Sequence, residues 1–234
     1  MKNETILQLP SDFKIHIDYA YPERKINEAT KLHIEEIWKK ELVRTRGKLF
    51  NGTLLSAHEF DGRQLNGHFV EYKYYLAQTR DPSLEAELHV QPICVCGHTT
   101  ANDCILIGKR SGHVTEYQNF YELVPAGGID TSAVDKNNVD VIKQLKTELK
   151  EEAGIEAPMI LGIVPSFLIH YPQTFTYEIC AKIELDPSAK NLVADRDDEY
   201  TELLWIPKNS MKEFVIQHRK EIIPLSLQLL ELFP

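Results

Sequence analysis

The chain has 234 residues, with 26 Lys and Arg against 35 Asp and Glu, a formal net charge of −9 and 43% hydrophobic residues. That length supports one large domain, or a domain with an extension, with ample apolar material for a core. The acidic balance argues against the broad basic surface that grips a nucleic-acid backbone; no apolar run reaches the roughly twenty residues of a membrane span, and Met1-Lys2-Asn3-Glu4 lacks the apolar stretch of a signal peptide, so a cytoplasmic protein is expected.

Phe13-Lys14-Ile15-His16-Ile17-Asp18 alternates as a short strand does, and Tyr21-Pro22-Glu23-Arg24 turns it. A helix follows: Asn27 is a fit cap, Ile34, Ile37, Trp38 and Leu42 recur at helical spacing, and Gly47 supplies a left-handed stop. The basic residues Lys39, Lys40, Arg44, Arg46 and Lys48 are interleaved with Glu35, Glu36 and Glu41, the pattern of a solvated helix face. Residues 53–60 read as a strand, Asp61-Gly62 as a hairpin turn, and residues 63–75 contain the returning strand. Asp81-Pro82-Ser83 is the seam, giving an N-terminal α+β extension over residues 1–86 and a main domain over 87–234, packed together without a flexible linker.

In the main domain, Leu88 to Cys96 and Cys104 to Arg110 are expected to pair across Gly97 to Asp103, and Tyr121 to Val124 forms a further strand. Cys94-Val95-Cys96 with Cys104 is not the usual zinc knuckle spacing, so these cysteines, with Cys180, read as buried strand thiols. Strands over 160–170, 175–185 and 202–207 follow. Ser210-Met211-Lys212-Glu213 reads as a capping box for a helix to about His218, and Ile222 to Phe233 as an apolar closing helix. The order suits a mixed sheet flanked by helices.

The chemistry concentrates in Leu145-Lys146-Thr147-Glu148-Leu149-Lys150-Glu151-Glu152-Ala153-Gly154-Ile155. Helical spacing puts Glu148, Glu151 and Glu152 on one face, where three negative charges repel unless divalent cations sit among them. A Lys/Glu-rich segment is more commonly a solvated face. Here it follows Pro125-Ala126-Gly127-Gly128 and a polar loop.

This arrangement resembles the Nudix box, whose pattern is a glycine, five residues, a glutamate, seven residues, then Arg-Glu-apolar-x-Glu-Glu-x-Gly-apolar. Glu148, Leu149, Glu151, Glu152, Gly154 and Ile155 match its second half. Thr147 stands at the arginine position, Val139 at the loop glutamate and Ala133 at the glycine. Counted from Gly128, the loop is longer than the pattern by about five residues, which closure entropy tolerates. The arginine and loop glutamate brace each other in the family. Their joint replacement is nearly neutral, whereas loss of one would strand a charge.

The resemblance implies an α+β Nudix-type α/β/α sandwich with a mixed sheet, and hydrolysis of the diphosphate of a small nucleoside diphosphate derivative with Mg²⁺, or Mn²⁺ as the alternative ion. Glu148, Glu151 and Glu152 are the catalytic metal ligands it implies, with Glu148 as a candidate general base. Glu202, three residues before Trp205, or an acid among Asp195, Asp197, Asp198 and Glu199 is a candidate further ligand. Gly127 and Gly128 would let the backbone approach the substrate, and Arg110 would clamp a phosphate unless it is engaged in an ion pair. Ile37-Trp38, Leu49-Phe50-Asn51-Gly52 and Tyr72-Lys73-Tyr74-Tyr75-Leu76 resemble the N-terminal part of Nudix proteins that cleave UDP-glucose-type nucleotides. The aromatics Phe50, Phe69, Tyr72, Tyr74 and Tyr75 read more readily as core than as a base-stacking platform. A non-catalytic Nudix-fold nucleotide-binding or regulatory module, or an interaction scaffold with a vestigial site, are the rival readings. Nothing in the residues specifies an oligomeric state.

Overall fold

The computed structural model describes residues 4–22, 24–191 and 199–233. Glu23 of the expected turn and Asp195, Asp197 and Asp198 of the acidic segment lie outside the described residues, as do Met1, Lys2 and Asn3. In chain order the elements are β1 (Thr5–Gln8), β2 (Lys14–Ile17), α1 (Glu28–Arg44), β3 (Thr53–Phe60), β4 (Gln64–Glu71), α2 (Tyr72–Arg80), α3 (Glu85–Leu88), β5 (Ile93–Ala101), β6 (Cys104–Arg110), β7 (Tyr121–Leu123), β8 (Ala126–Gly128), β9 (Val134–Asp135) and β10 (Asn138–Val139). They continue with α4 (Val141–Ala153), β11 (Ile160–Tyr171), β12 (Thr176–Leu185), β13 (Tyr200–Pro207), α5 (Lys208–His218) and α6 (Pro224–Leu232). The fold is α+β, as expected.

The chain forms two compact units: residues 1–94, 128–140 and 168–178 make the first, and 95–127, 141–167 and 179–234 the second. The seam expected near residue 86 falls inside the first unit.

In the first unit the sheet runs β3-β4-β2-β10-β9. It is mixed, because β2 pairs parallel with β4 while the other pairs are antiparallel. The β3–β4 turn follows from Asp61, whose Oδ1 accepts from the amides of Arg63 and Gln64 at 2.8 and 2.7 Å, and from Gly62 at φ +97°. A bulge between Ala57 and Glu59 leaves His58 as an extra residue on β3. Helix α1 is capped by Asn27, whose Oδ1 accepts from Thr30 N at 2.9 Å, and Gly47 closes it at φ +78°.

Two expectations are sharpened here. The returning strand, expected within residues 63–75, is β4 and ends at Glu71, and Tyr72–Arg80 is helix α2. Ala77 is buried in one cluster with Ile34 and Ile37 of α1, with Tyr72, Tyr74 and Tyr75 packed against it, so these aromatics serve the core. Asn51 Oδ1 accepts from Lys73 N at 2.9 Å and supplies an N-terminal contact that Glu71 does not. Phe50, by contrast, is exposed. The long loop after Gly128 is also not irregular: β9 and β10 form a small hairpin across Lys136, at φ +57°, and β10 joins β2 at Asn138↔His16. Val139 thus stands at the position of the bracing glutamate as a strand residue paired with Val134.

In the second unit the strand order is β11-β12-β5-β6-β13, with β7 beside β6 and β8 beside β5. Strand β5 runs through Gly97 to Ala101, and the turn to β6 is made at Asn102, φ +53°, and Asp103. Gly97 is a packing glycine and not a turn: a Cβ there would press on Pro125 and Ile183. Helix α5 starts at Lys208 without a side-chain cap, so the capping box expected at Ser210 does not form. The four cysteines form no disulfide; Cys96 and Cys180 are buried on β5 and β12 with their sulfurs 3.2 Å apart, as strand thiols should be.

Candidate active site

Helix α4 presents Leu145, Leu149 and Ala153 to the core of the second unit, where they are buried. Gly154 ends it at φ +64°, with its amide donating to Lys150 O and that of Ile155 to Leu149 O. This anchoring sets the three acids of the helix differently. Glu152 is 3% exposed, Glu148 is half-buried and Glu151 points outward, exposed.

Glu152 accepts from Ala126 N, 3.2 Å to Oε2 and 3.4 Å to Oε1, at the start of β8. Glu148 Oε1 accepts from Gln144 Nε2 at 2.6 Å, one turn back on the same helix. Gly127 fits against Glu148: a Cβ built at Gly127 would run into that carboxylate, with even Oε2 only 2.6 Å away. Gly127 therefore acts by clearing space for an acid. A Cβ at Gly128 would meet nothing within 4 Å, so that glycine has no such role.

Two acids outside the helix complete the charge distribution. Glu122 on β7 is 5% exposed, ion-paired with Arg110 and accepting from Tyr200 Oη at 2.7 Å. Arg110 also pairs with Glu199 at 3.1 Å. Burial works against the Arg110 charge, but the carboxylates of Glu122 and Glu199 outweigh it and raise its pKa. Burial, then the negative charges of Glu122, Glu152 and Glu199, pushes the Tyr200 phenol well up. Gly108 makes this packing feasible, because a Cβ there would lie 2.5 Å from the Tyr200 ring.

The consequence falls on Glu152. Burial pushes its carboxyl well above the ordinary range, and the charges of Glu199, Glu122 and Glu148 push the same way against the Ala126 amide. A buried carboxylate that other carboxylates disfavour gains a proton or a cation. The donor set is all oxygen, which suits a hard divalent ion, and the cradle at Gly127 keeps Glu148 within it. Among the described residues, however, no three His, Cys, Asp or Glu side chains stand together as a ready-made metal cluster.

Of the residues singled out in the sequence, Glu148, Glu152 and Gly127 come together. Glu151 sits on the exposed flank of the helix. Glu202 is exposed, opposite Lys109 in the β6–β13 register, and its side chain makes no hydrogen bond or ion pair among the described residues; Glu199 is the β13-side acid that bears on Glu152. Arg110 is held by Glu122 and Glu199, which is the ion-pair alternative to a phosphate clamp. Glu122 was legible only as a charge in the apolar run Tyr121-Glu122-Leu123-Val124, the signature of a buried, partnered acid.

No family model matches the chain, and no curated protein matches it by sequence. Its fold is similar to several solved structures. One is a bifunctional NMN adenylyltransferase/ADP ribose pyrophosphatase from Francisella tularensis complexed with AMP and Mn ion, at 15% identity and TM-score 0.48, over 69% of this chain and 46% of that one. Another is a Nudix hydrolase from Nitrosomonas europaea, at 15% identity and TM-score 0.41, over 60% and 86%. A third is the Nudix domain of Shewanella oneidensis NrtR complexed with ADP ribose, at 18% identity and TM-score 0.41, over 61% and 85%. None of these three reaches a TM-score of 0.5.

Proposed function

We propose that this chain is a Nudix-type pyrophosphohydrolase that cleaves the diphosphate of a nucleoside diphosphate derivative, with a nucleotide sugar as the favoured substrate, using Mg²⁺ or Mn²⁺. The observation that carries the reading is the buried Glu152, crowded by Glu148, Glu122 and Glu199, on a helix whose sequence follows the second half of the Nudix box. Glu148 and Glu152 would hold the cation, with Glu151 of the same helix and Glu199 as the candidate further oxygen donors. Once bound, such an ion neutralises the diphosphate and acidifies a water for attack on phosphorus.

The chain's own residues supply position and proton transfer. Gln144 donates to Glu148 Oε1 and Gly127 leaves the whole carboxylate room, which supports Glu148 as the group that takes the proton of the attacking water. The Arg110–Glu122–Tyr200 network stiffens the strands behind Glu152. Water adds across the P–O–P bridge, and two phosphomonoesters leave.

The test is a panel of nucleoside diphosphate sugars, dinucleoside polyphosphates and NAD-type compounds with Mg²⁺ or Mn²⁺. Turnover that Glu152→Gln lowers by about 10²-fold or more is expected; saturable binding without turnover across the panel would overturn the enzyme reading. That outcome would favour the second reading, a nucleotide-binding module without hydrolysis, to which Thr147 and Val139 at the positions of the bracing pair and the longer loop after Gly128 point.

A further inference from the structure

Within the first unit, the bulged residue His58 of β3 stands beside His68 of β4, with the two Nδ1 atoms 3.3 Å apart. Two imidazole nitrogens each about 2.0–2.1 Å from one Zn²⁺, at a tetrahedral angle, lie about 3.3 Å from each other. The rings are already held in this relation. Tyr21 stacks on both, at centroid distances of 4.2 Å to His58 and 4.0 Å to His68. On the far side of His58, Asp18 Oδ2 lies 4.0 Å from Nε2, an ion-pair distance at which its charge favours a cation on the ring.

A cavity adjoins the pair on the His68 side. His68, Asp18 and Tyr21 line a cavity of about 490 Å³, together with Arg24 and Tyr74. Among the described residues no third His, Cys, Asp or Glu completes the pair. We propose that His58 and His68 form a two-histidine site for an imidazole-preferring divalent cation, Zn²⁺ or its close relatives Co²⁺ and Ni²⁺, whose other positions open to the cavity for water or a ligand donor. Arg24 opposes a cation and Asp18 favours one.

The full chain, stripped with a chelator, is titrated with Zn²⁺ in excess Mg²⁺, which occupies hard carboxylate sites, while heat and melting temperature are recorded. One saturable equivalent is expected. His58→Gln and His68→Gln should each weaken it at least tenfold, and His33→Gln, whose ring pairs instead with Asp81, should leave it unchanged. No saturable Zn²⁺ binding by the unaltered chain, or equal binding by both variants, overturns the site. Because loss of a packed ring can loosen the sheet, ring-nitrogen NMR of the unaltered chain gives a second reading: Zn²⁺ must shift two histidines, assigned as His58 and His68, and shifts elsewhere or nowhere refute it.

Discussion

Gly127→Ala separates the catalytic reading of Glu148 from a purely structural one. The added Cβ would lie 2.6 Å from Glu148 Oε2 and closer still to the rest of the carboxylate. Ordinary contact between such atoms begins near 3.5 Å, so the carboxylate must retreat by about 1 Å. The retreat is cheap for folding, because the obstacle is the far end of a side chain that can rotate; about 1 kcal/mol or less of stability is expected to go. It is costly for chemistry, since a shift of about 1 Å in a reacting group lowers turnover by about 10²-fold. Turnover on the best substrate of the panel, alongside urea denaturation, reads both effects. Gly128→Ala is the control, because its Cβ meets nothing within 4 Å, and both activity and stability should hold. Wild-type turnover by Gly127→Ala, or equal losses in the two variants, would refute the placement of Glu148.

Three further outcomes follow from the same geometry. Arg110→Ala leaves Glu122 buried without its cation and should cost about 3–5 kcal/mol in urea denaturation; a raised KM with unchanged stability would instead restore the phosphate-clamp role. Mg²⁺ should raise the melting temperature of the unaltered chain but not of Glu152→Gln, because the crowded carboxylate is what the cation relieves; equal shifts would place the ion elsewhere. Burial, then the charges of Lys208 and Lys182, lowers His98 to about 4 from 6.5, so the unfolded chain takes up this proton first as pH falls. Stability should be full above pH 6.5, decline between 6.5 and about 4 by up to about 3 kcal/mol from this group, and level off below. His98→Leu should remove that part of the slope, and an unchanged slope would refute the assignment.

What the sequence determined by itself was what local chemistry decides. Asn27 and Gly47 delimit α1, Asp61-Gly62 turns the β3–β4 hairpin, and Gly154 stops α4, because caps and left-handed glycines act within a few residues. The acidic box was legible for the same reason, being one contiguous helix. Where the reading fell short, the deciding contact was distant in the chain. Tyr72–Arg80 became helix because Asn51 meets its first turn and α1 covers its apolar face; Gly97 stayed in a strand because Pro125 and Ile183 press where its Cβ would be. The division of labour among the acids was likewise tertiary. Helical spacing treats Glu148, Glu151 and Glu152 alike, whereas folding buries only Glu152 and gathers Glu122, Glu199 and Arg110 around it from β6, β7 and the start of β13. Charge interactions act through space and burial, and neither is written in sequence separation.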